Sequence, residues 1–168
     1  MTTEPATFVF DDDGRIPNSR LPLLLYRRAL AADAAAMERV LFQRGWSNSW
    51  RDGIFDYHHF HSIAHEVLGI AAGRATVAFG GQAGRVLTVE AGDVVVIPAG
   101  VGHCNRGQSS DLLVVGAYPG GAGYDICRGD PADHARALAA IRRVALPERD
   151  PVSGGEAPLR RLWSPAQG

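Results

Sequence analysis

Short apolar stretches alternate with glycine-rich breaks through the middle of the chain, between residues 54 and 118. Each stretch has the length of a β-strand, and most are too short for a helix. No long helical pattern interrupts the series, so a parallel sheet with crossover helices is not expected. The pattern predicts a mainly all-β sandwich or barrel, with strands at residues 54–61, 66–71, 74–79, 86–90, 94–97 and 112–118.

The segment before this series predicts a few flanking elements. Residues 8–10, Phe-Val-Phe, suit a short edge strand, and residues 18–22 suit a loop. Asp33 can cap the N-terminus of a helix that runs to about residue 44 and stops at Gly45.

The segment after the series predicts a helix over residues 132–143 and a tail that packs back through Leu162 and Trp163. Nothing marks a second domain. We therefore predict one domain over residues 1–168, with a barrel core at about 50–120, an N-terminal strand and helix extension at 1–49, and a C-terminal helix and tail at 121–168.

The composition is that of an ordinary globular protein, with 46% hydrophobic and 21% charged residues among 168. The formal net charge is -1, so there is no basic excess to bind nucleic acid or an anionic membrane. We expect neither as a partner.

The cysteines and the N-terminus predict a cytoplasmic protein. Cys104 and Cys127 are too few for a disulfide framework in a chain of this length. The first residues, Met-Thr-Thr-Glu-Pro, lack the basic start and apolar run of a signal peptide.

Five of the six histidines lie between positions 58 and 103, which suggests a metal site. On a strand, His59 and His61 would point to one face, because side chains two residues apart share a face. Glu66 follows after a short turn, and His103 follows the turn 98–102. Imidazole and carboxylate bind Zn, Fe, Mn and Ni, and such a set would leave open positions, as catalytic sites do.

Two spaced motifs resemble the signatures of the cupin superfamily. The first is Gly53-(x)5-His59-x-His61-(x)4-Glu66-(x)6-Gly73, and the second is Gly92-(x)5-Pro98-x-Gly100-(x)2-His103. The second motif departs from the family pattern once, because Gly107 stands where an asparagine is usual. Over nearly the whole chain, the sequence also looks like the bacterial single-domain cupins of the YjlB-like kind.

The resemblance implies a double-stranded β-helix, or jelly-roll barrel, that holds one divalent metal ion. His59, His61, Glu66 and His103 would be the ligands, and the identity of the metal (Fe, Mn, Ni or Zn) stays open. Glu66 could coordinate the metal directly, hydrogen-bond a water on it, or act as a catalytic base. His58 should face outward, whereas a bulge could turn His65 inward as a further site residue.

Residues near the first motif are candidates for a pocket that binds a small molecule. Tyr57 lies two residues before His59, so on a strand it would point to the same face and should line the pocket. Phe55 and Trp50 could lie at the mouth of the pocket. Arg51 is a candidate anchor for a carboxylate or a phosphate.

Three functions fit these residues. We favour a mononuclear metalloenzyme of the dioxygenase or oxidoreductase type, as the resemblance to cupin dioxygenases implies. A Lewis-acid isomerase or lyase acting on a sugar or keto acid is the first alternative, and a non-catalytic cupin that binds a small ligand is the second. Because an exposed barrel edge favours pairing, we also expect a homodimer.

Overall fold

Two antiparallel sheets make up most of the computed structural model, which describes residues 4–164. Six strands are ordered β1-β2-β7-β4-β9-β3 in the larger sheet, and three are ordered β6-β5-β8 in the smaller one. The strands are β1 (Ala6–Phe10), β2 (Ser19–Tyr26), β3 (Trp46–Asp52), β4 (Glu66–Ala72), β5 (Arg74–Phe79), β6 (Arg85–Glu90), β7 (Val94–Ile97), β8 (His103–Gln108) and β9 (Leu113–Pro119). The mainly β fold class is confirmed.

The six-stranded sheet is buried on both faces along its central strands. Leu68 and Ile70 of β4 point toward the smaller sheet and join one apolar core. Val67 of the same strand points the other way, into a second core with α1 (Ala34–Gln43) and α3 (Leu159–Trp163). A strand covered on both faces has apolar side chains on both, which is why the residues of β4 after Glu66 form an unbroken apolar run.

The helices agree with the sequence pattern to within two residues. The Asp33 carboxylate accepts a hydrogen bond from the Ala36 amide at 2.9 Å, and so caps α1. The C-terminal helix α2 (His134–Arg142) follows one turn of 3-10 helix at Pro131–Asp133. In α3, the buried Trp163 donates its indole N–H to the Pro22 carbonyl at 2.9 Å, so the tail packs back as predicted.

The predicted strand at 54–61 is wrong, because the chain from 53 to 65 is an irregular connection with isolated bridges. The neighbouring strand is instead the polar β3, which pairs with β9 through a register shift between Ser47 and Trp50. The predicted loop at 18–22 is also wrong, because β2 begins at Ser19.

The predicted barrel core is too narrow. Strands β1 and β2 come from the N-terminal extension, yet β2 pairs with β7 and lies inside the larger sheet. The sheets therefore draw on residues 6–119. Among the described residues, no helix is long and apolar enough to cross a membrane.

Candidate metal centre

Three buried histidines converge at one end of the space between the sheets. One ring nitrogen from each of His59, His61 and His103 lies within 4.8 Å of the other two. His59 and His61 come from the irregular connection, and His103 begins β8. Backbone hydrogen bonds between His59 and His103, at 2.9 and 3.2 Å, hold the two segments together.

Backbone carbonyls contact the same ring nitrogen, Nδ1, of all three imidazoles. Nδ1 of His59 contacts the Tyr57 carbonyl at 3.0 Å, Nδ1 of His103 contacts the Val101 carbonyl at 3.2 Å, and Nδ1 of His61 contacts the Asp125 carbonyl. A carbonyl only accepts hydrogen bonds, so each Nδ1 carries the proton. Each Nε2 is therefore left with a free lone pair, which is the arrangement that supports metal-bound histidine.

The buried Glu66 carboxylate faces two of these nitrogens. Its Oε1 lies 3.3 Å from Nε2 of His61 and 3.4 Å from Nε2 of His103. This oxygen has no well-formed hydrogen bond, whereas Oε2 accepts one from the Tyr118 hydroxyl at 2.7 Å. Lone pairs that face one another in a buried space need a proton or a metal cation between them, and the nitrogen and oxygen donors present here fit a metal ion.

The electrostatics of the cluster also favour a cation. Burial lowers the pKa of His59 to about 3, so this imidazole stays neutral. Burial alone would raise the pKa of the Glu66 carboxyl, but the facing His103 and His61 lower it below its ordinary value. Burial lowers the pKa of His61 as well, yet the Glu66 carboxylate outweighs that effect and raises it. The buried carboxylate therefore draws positive charge to the point where the imidazoles meet.

A cavity of about 710 Å³ opens onto the histidine cluster. Its wall includes His59, His61, Glu66 and His103, so a ligand in the cavity would reach all four residues. The rest of the wall combines aromatic and aliphatic residues with polar ones; it includes Trp50, Arg51, Asp52, Ile54, Phe55, Leu68, Gln108, Leu112, Leu113, Tyr118, Tyr124 and Ile126.

Three of the five predicted pocket residues line this cavity. Trp50 and Phe55 do so, and Phe55 is 45% exposed at the opening. Arg51 also lines it, but its guanidinium group contacts the Glu38 carboxylate at 2.6 and 2.8 Å. As placed, Arg51 is committed to that ion pair rather than free to anchor a ligand.

The structure does not bring Tyr57 or His65 to the cavity. The ring of Tyr57 stacks on Phe55 at 4.9 Å and is covered by the Arg128 guanidinium group at 3.8 Å. His65 packs against Trp163 at 4.8 Å, and its Nδ1 accepts the Ala99 amide at 2.8 Å. Both positions follow from the irregular connection, where the strand parity used for Tyr57 does not apply and no bulge turns His65 inward.

Sequence reasoning missed the segment that closes the other side of the cluster. Besides the carbonyl of Asp125 that orients His61, the Asp125 carboxylate accepts the Ser62 amide at 2.7 Å and the Ser62 hydroxyl. Tyr124 stacks on Tyr118 at 4.5 Å and meets the His61 ring edge-on. About 60 positions separate this segment from the first motif, and no local pattern marks it as part of the site.

Comparisons with known proteins agree with this fold. A family model described as Cupin matches residues 53–119. A Bacillus subtilis (strain 168) protein named "Uncharacterized protein YjlB" is 46% identical over 164 residues, which are 97% of this chain and 99% of that protein. The chain belongs to the cupin family. Within the family it is YjlB-like, as the resemblance over nearly the whole chain suggested.

Solved cupin structures resemble the chain only distantly. Acireductone dioxygenase from Bacillus anthracis is 14% identical with a TM-score of 0.42, over 73% of this chain and 97% of that one. A variant of oxalate decarboxylase from Bacillus subtilis is 18% identical with a TM-score of 0.40, over 68% of this chain and 29% of that one. Likeness at this level shows no activity for this chain.

Proposed function

We propose that this cupin holds one divalent transition metal ion on His59, His61, His103 and Glu66, and that it acts as a mononuclear metalloenzyme on a small organic molecule. One observation carries the proposal. Three imidazoles with fixed Nδ1 protons turn their Nε2 atoms toward a common point, beside a buried carboxylate oxygen that has no hydrogen bond.

The cavity supports a small organic molecule as the ligand. All four proposed metal ligands lie in its wall, so a molecule bound there would meet the site directly. Bound Fe, Mn, Ni or Zn would supply a Lewis acid with an open position, and the first three could also supply redox chemistry. The aromatic and aliphatic residues of the wall would hold the apolar part of the molecule.

For the reaction class we favour a dioxygenase or oxidoreductase, in line with the nitrogen-rich ligand set. The first alternative is a Lewis-acid isomerase or lyase that acts on a sugar or keto acid and needs no oxygen. The rate under argon separates the two, because only the oxygen-dependent reaction stops. The second alternative, a ligand-binding cupin without catalysis, predicts calorimetric binding with no product over a broad substrate panel.

The proposal is tested first by metal content and then by activity. Protein purified without chelators or a histidine tag is analysed for its elements, loaded anaerobically with Fe²⁺, and assayed for oxygen uptake. We expect His61→Ala to lose the metal and any turnover. The matched control is His134→Ala, since His134 pairs with Asp12 at the surface and lies outside the cluster. Full metal occupancy in the His61 variant would contradict the ligand assignment.

We also propose that the protein is a homodimer. Strand β1 is an edge of the larger sheet, and its Val9 side chain is 62% exposed. Light scattering should give twice the mass of one chain, and the mass of a monomer would refute this.

A further inference from the structure

Tyr118 links Trp50 to Glu66 through two hydrogen bonds. The indole nitrogen of Trp50 lies 2.9 Å from the Tyr118 hydroxyl, which lies 2.7 Å from Oε2 of Glu66. The three residues belong to β3, β9 and β4, which are neighbours in the sheet. The hydrogen bonds therefore run across the sheet in a line that ends at the histidine cluster.

The direction of both hydrogen bonds follows from the chemistry of the end groups. An indole N–H can only donate, so the Tyr118 oxygen accepts from Trp50. The hydroxyl hydrogen of Tyr118 is then free to point only at Glu66, whose carboxylate accepts it. Oε2 is thereby occupied, and Oε1 is left facing His61 and His103.

The backbone fixes the position of Trp50 tightly. Trp50 pairs with Gly116 across β3 and β9, and a Cβ added to Gly116 would lie 2.2 Å from the indole ring. The ring therefore lies directly over the glycine, as a strand glycine permits. Tyr118 is two residues further along β9, on the same face, and is stacked on Tyr124.

We propose that Trp50 and Tyr118 are positioning residues that hold Glu66 as a one-oxygen metal ligand, an inference that rests on the function proposed above. The Tyr118 hydroxyl occupies Oε2, so Oε1 is the oxygen left to coordinate a metal.

The test compares metal affinity and the visible absorption of the Co²⁺-loaded protein in matched variants. Tyr118→Phe removes the hydrogen bond to Glu66, and we expect about 10- to 100-fold weaker Co²⁺ binding with an altered spectrum. Trp50→Phe should act in the same direction and less strongly. Tyr26→Phe is the matched control, because Tyr26 likewise donates its hydroxyl hydrogen to a buried carboxylate, that of Asp150, which lies outside the cluster. We expect it to keep the wild-type spectrum.

A double variant separates positioning from a general structural role. If Tyr118 acts through Glu66, adding Tyr118→Phe to Glu66→Gln should weaken Co²⁺ binding no further. Fully additive losses would overturn the inference, as would wild-type affinity and spectrum in both Tyr118→Phe and Trp50→Phe. Failure of the wild-type protein to bind Co²⁺ would instead overturn the proposed function itself.

Discussion

Two buried tyrosine–carboxylate pairs lie on the same sheet and differ in what surrounds the carboxylate. On β2, Tyr26 donates its hydroxyl hydrogen to Asp150, whose oxygens also accept the amides of Val152, Ser153 and Leu159. On β9, Tyr118 donates to one oxygen of Glu66, and the other oxygen faces imidazoles without a hydrogen bond.

The difference separates a structural carboxylate from one that is available to a ligand. Backbone amides satisfy Asp150 completely, and they tie the C-terminal segment to the sheet. Within residues 4–164, the free oxygen of Glu66 has no such partner, and burying a carboxylate oxygen without a partner is costly unless a cation neutralises it. The same pair of residue types thus stabilises the fold in one place and defines a site in the other.

The most direct test of the difference between the two carboxylates is to replace Glu66 by glutamine, its isosteric amide. We expect Glu66→Gln to weaken metal binding by about 100-fold or more, beyond the usual effect of a residue that only supports a ligand. Above the raised pKa of His61, where this imidazole is neutral, the free energy of unfolding of the metal-free protein should hardly change, because the new amide N–H₂ can donate to the Nε2 lone pairs. Metal titration and chemical denaturation measure the two quantities.

The matched variant, Asp150→Asn, should give the opposite result. Four donors converge on Asp150, so an amide N–H₂ group there would face other donors in a buried position. We expect the free energy of unfolding to fall by about 3 kcal/mol, with unchanged metal affinity in the folded protein. Equal stability losses in the two amide variants would remove the distinction between the carboxylates.

A smaller effect is expected from the segment that orients His61. Asp125→Ala frees the backbone that presents a carbonyl to the His61 imidazole, and we expect about tenfold weaker metal binding. Ser62→Ala removes only the hydroxyl contact with Asp125 and keeps the amide, so its loss should be smaller. If both variants bind metal as the wild type does, the segment has no role in orienting the ligand.

The smallest effect is the pH dependence, which has opposite signs for stability and for metal binding. The pKa of His61 is raised above its ordinary value by Glu66, so its contribution to stability is complete below about pH 6.5 and is lost as the pH rises through the raised pKa. Metal binding needs the unprotonated imidazole, so metal affinity should rise over the same interval, by at most about tenfold per pH unit.

Glu66 sets the acid limit of the pH range in which its interaction with His61 stabilises the fold. Its pKa is lowered in the fold, so its contribution is present above its ordinary pKa and is lost as the pH falls through the lowered value. Denaturation of metal-free protein over a pH series checks both signs. Glu66→Gln should flatten the His61-dependent part, and an unchanged profile would contradict the coupling.

The sequence predicted the family, the fold class and the three histidines that meet, because these depend on spaced motifs and apolar runs. It did not predict β3, since Ser47, Asn48 and Ser49 are polar and the strand is recognisable only by its pairing with β9. Strand parity misplaced Tyr57, because the chain around His59 is irregular. Tyr118 and Asp125 reach the cluster through contacts between distant segments, which no local pattern encodes.

The number of metal ions that the protein binds, and the residues that bind them, test the proposed metal centre most directly. Anaerobic calorimetric titration of metal-free protein with Fe²⁺ should show one ion bound per chain. A variant with alanine at His59, His61 and His103 should show no saturable binding. Absence of binding by the wild-type protein, or equal stoichiometry and affinity in the triple variant, would contradict the proposed metal centre.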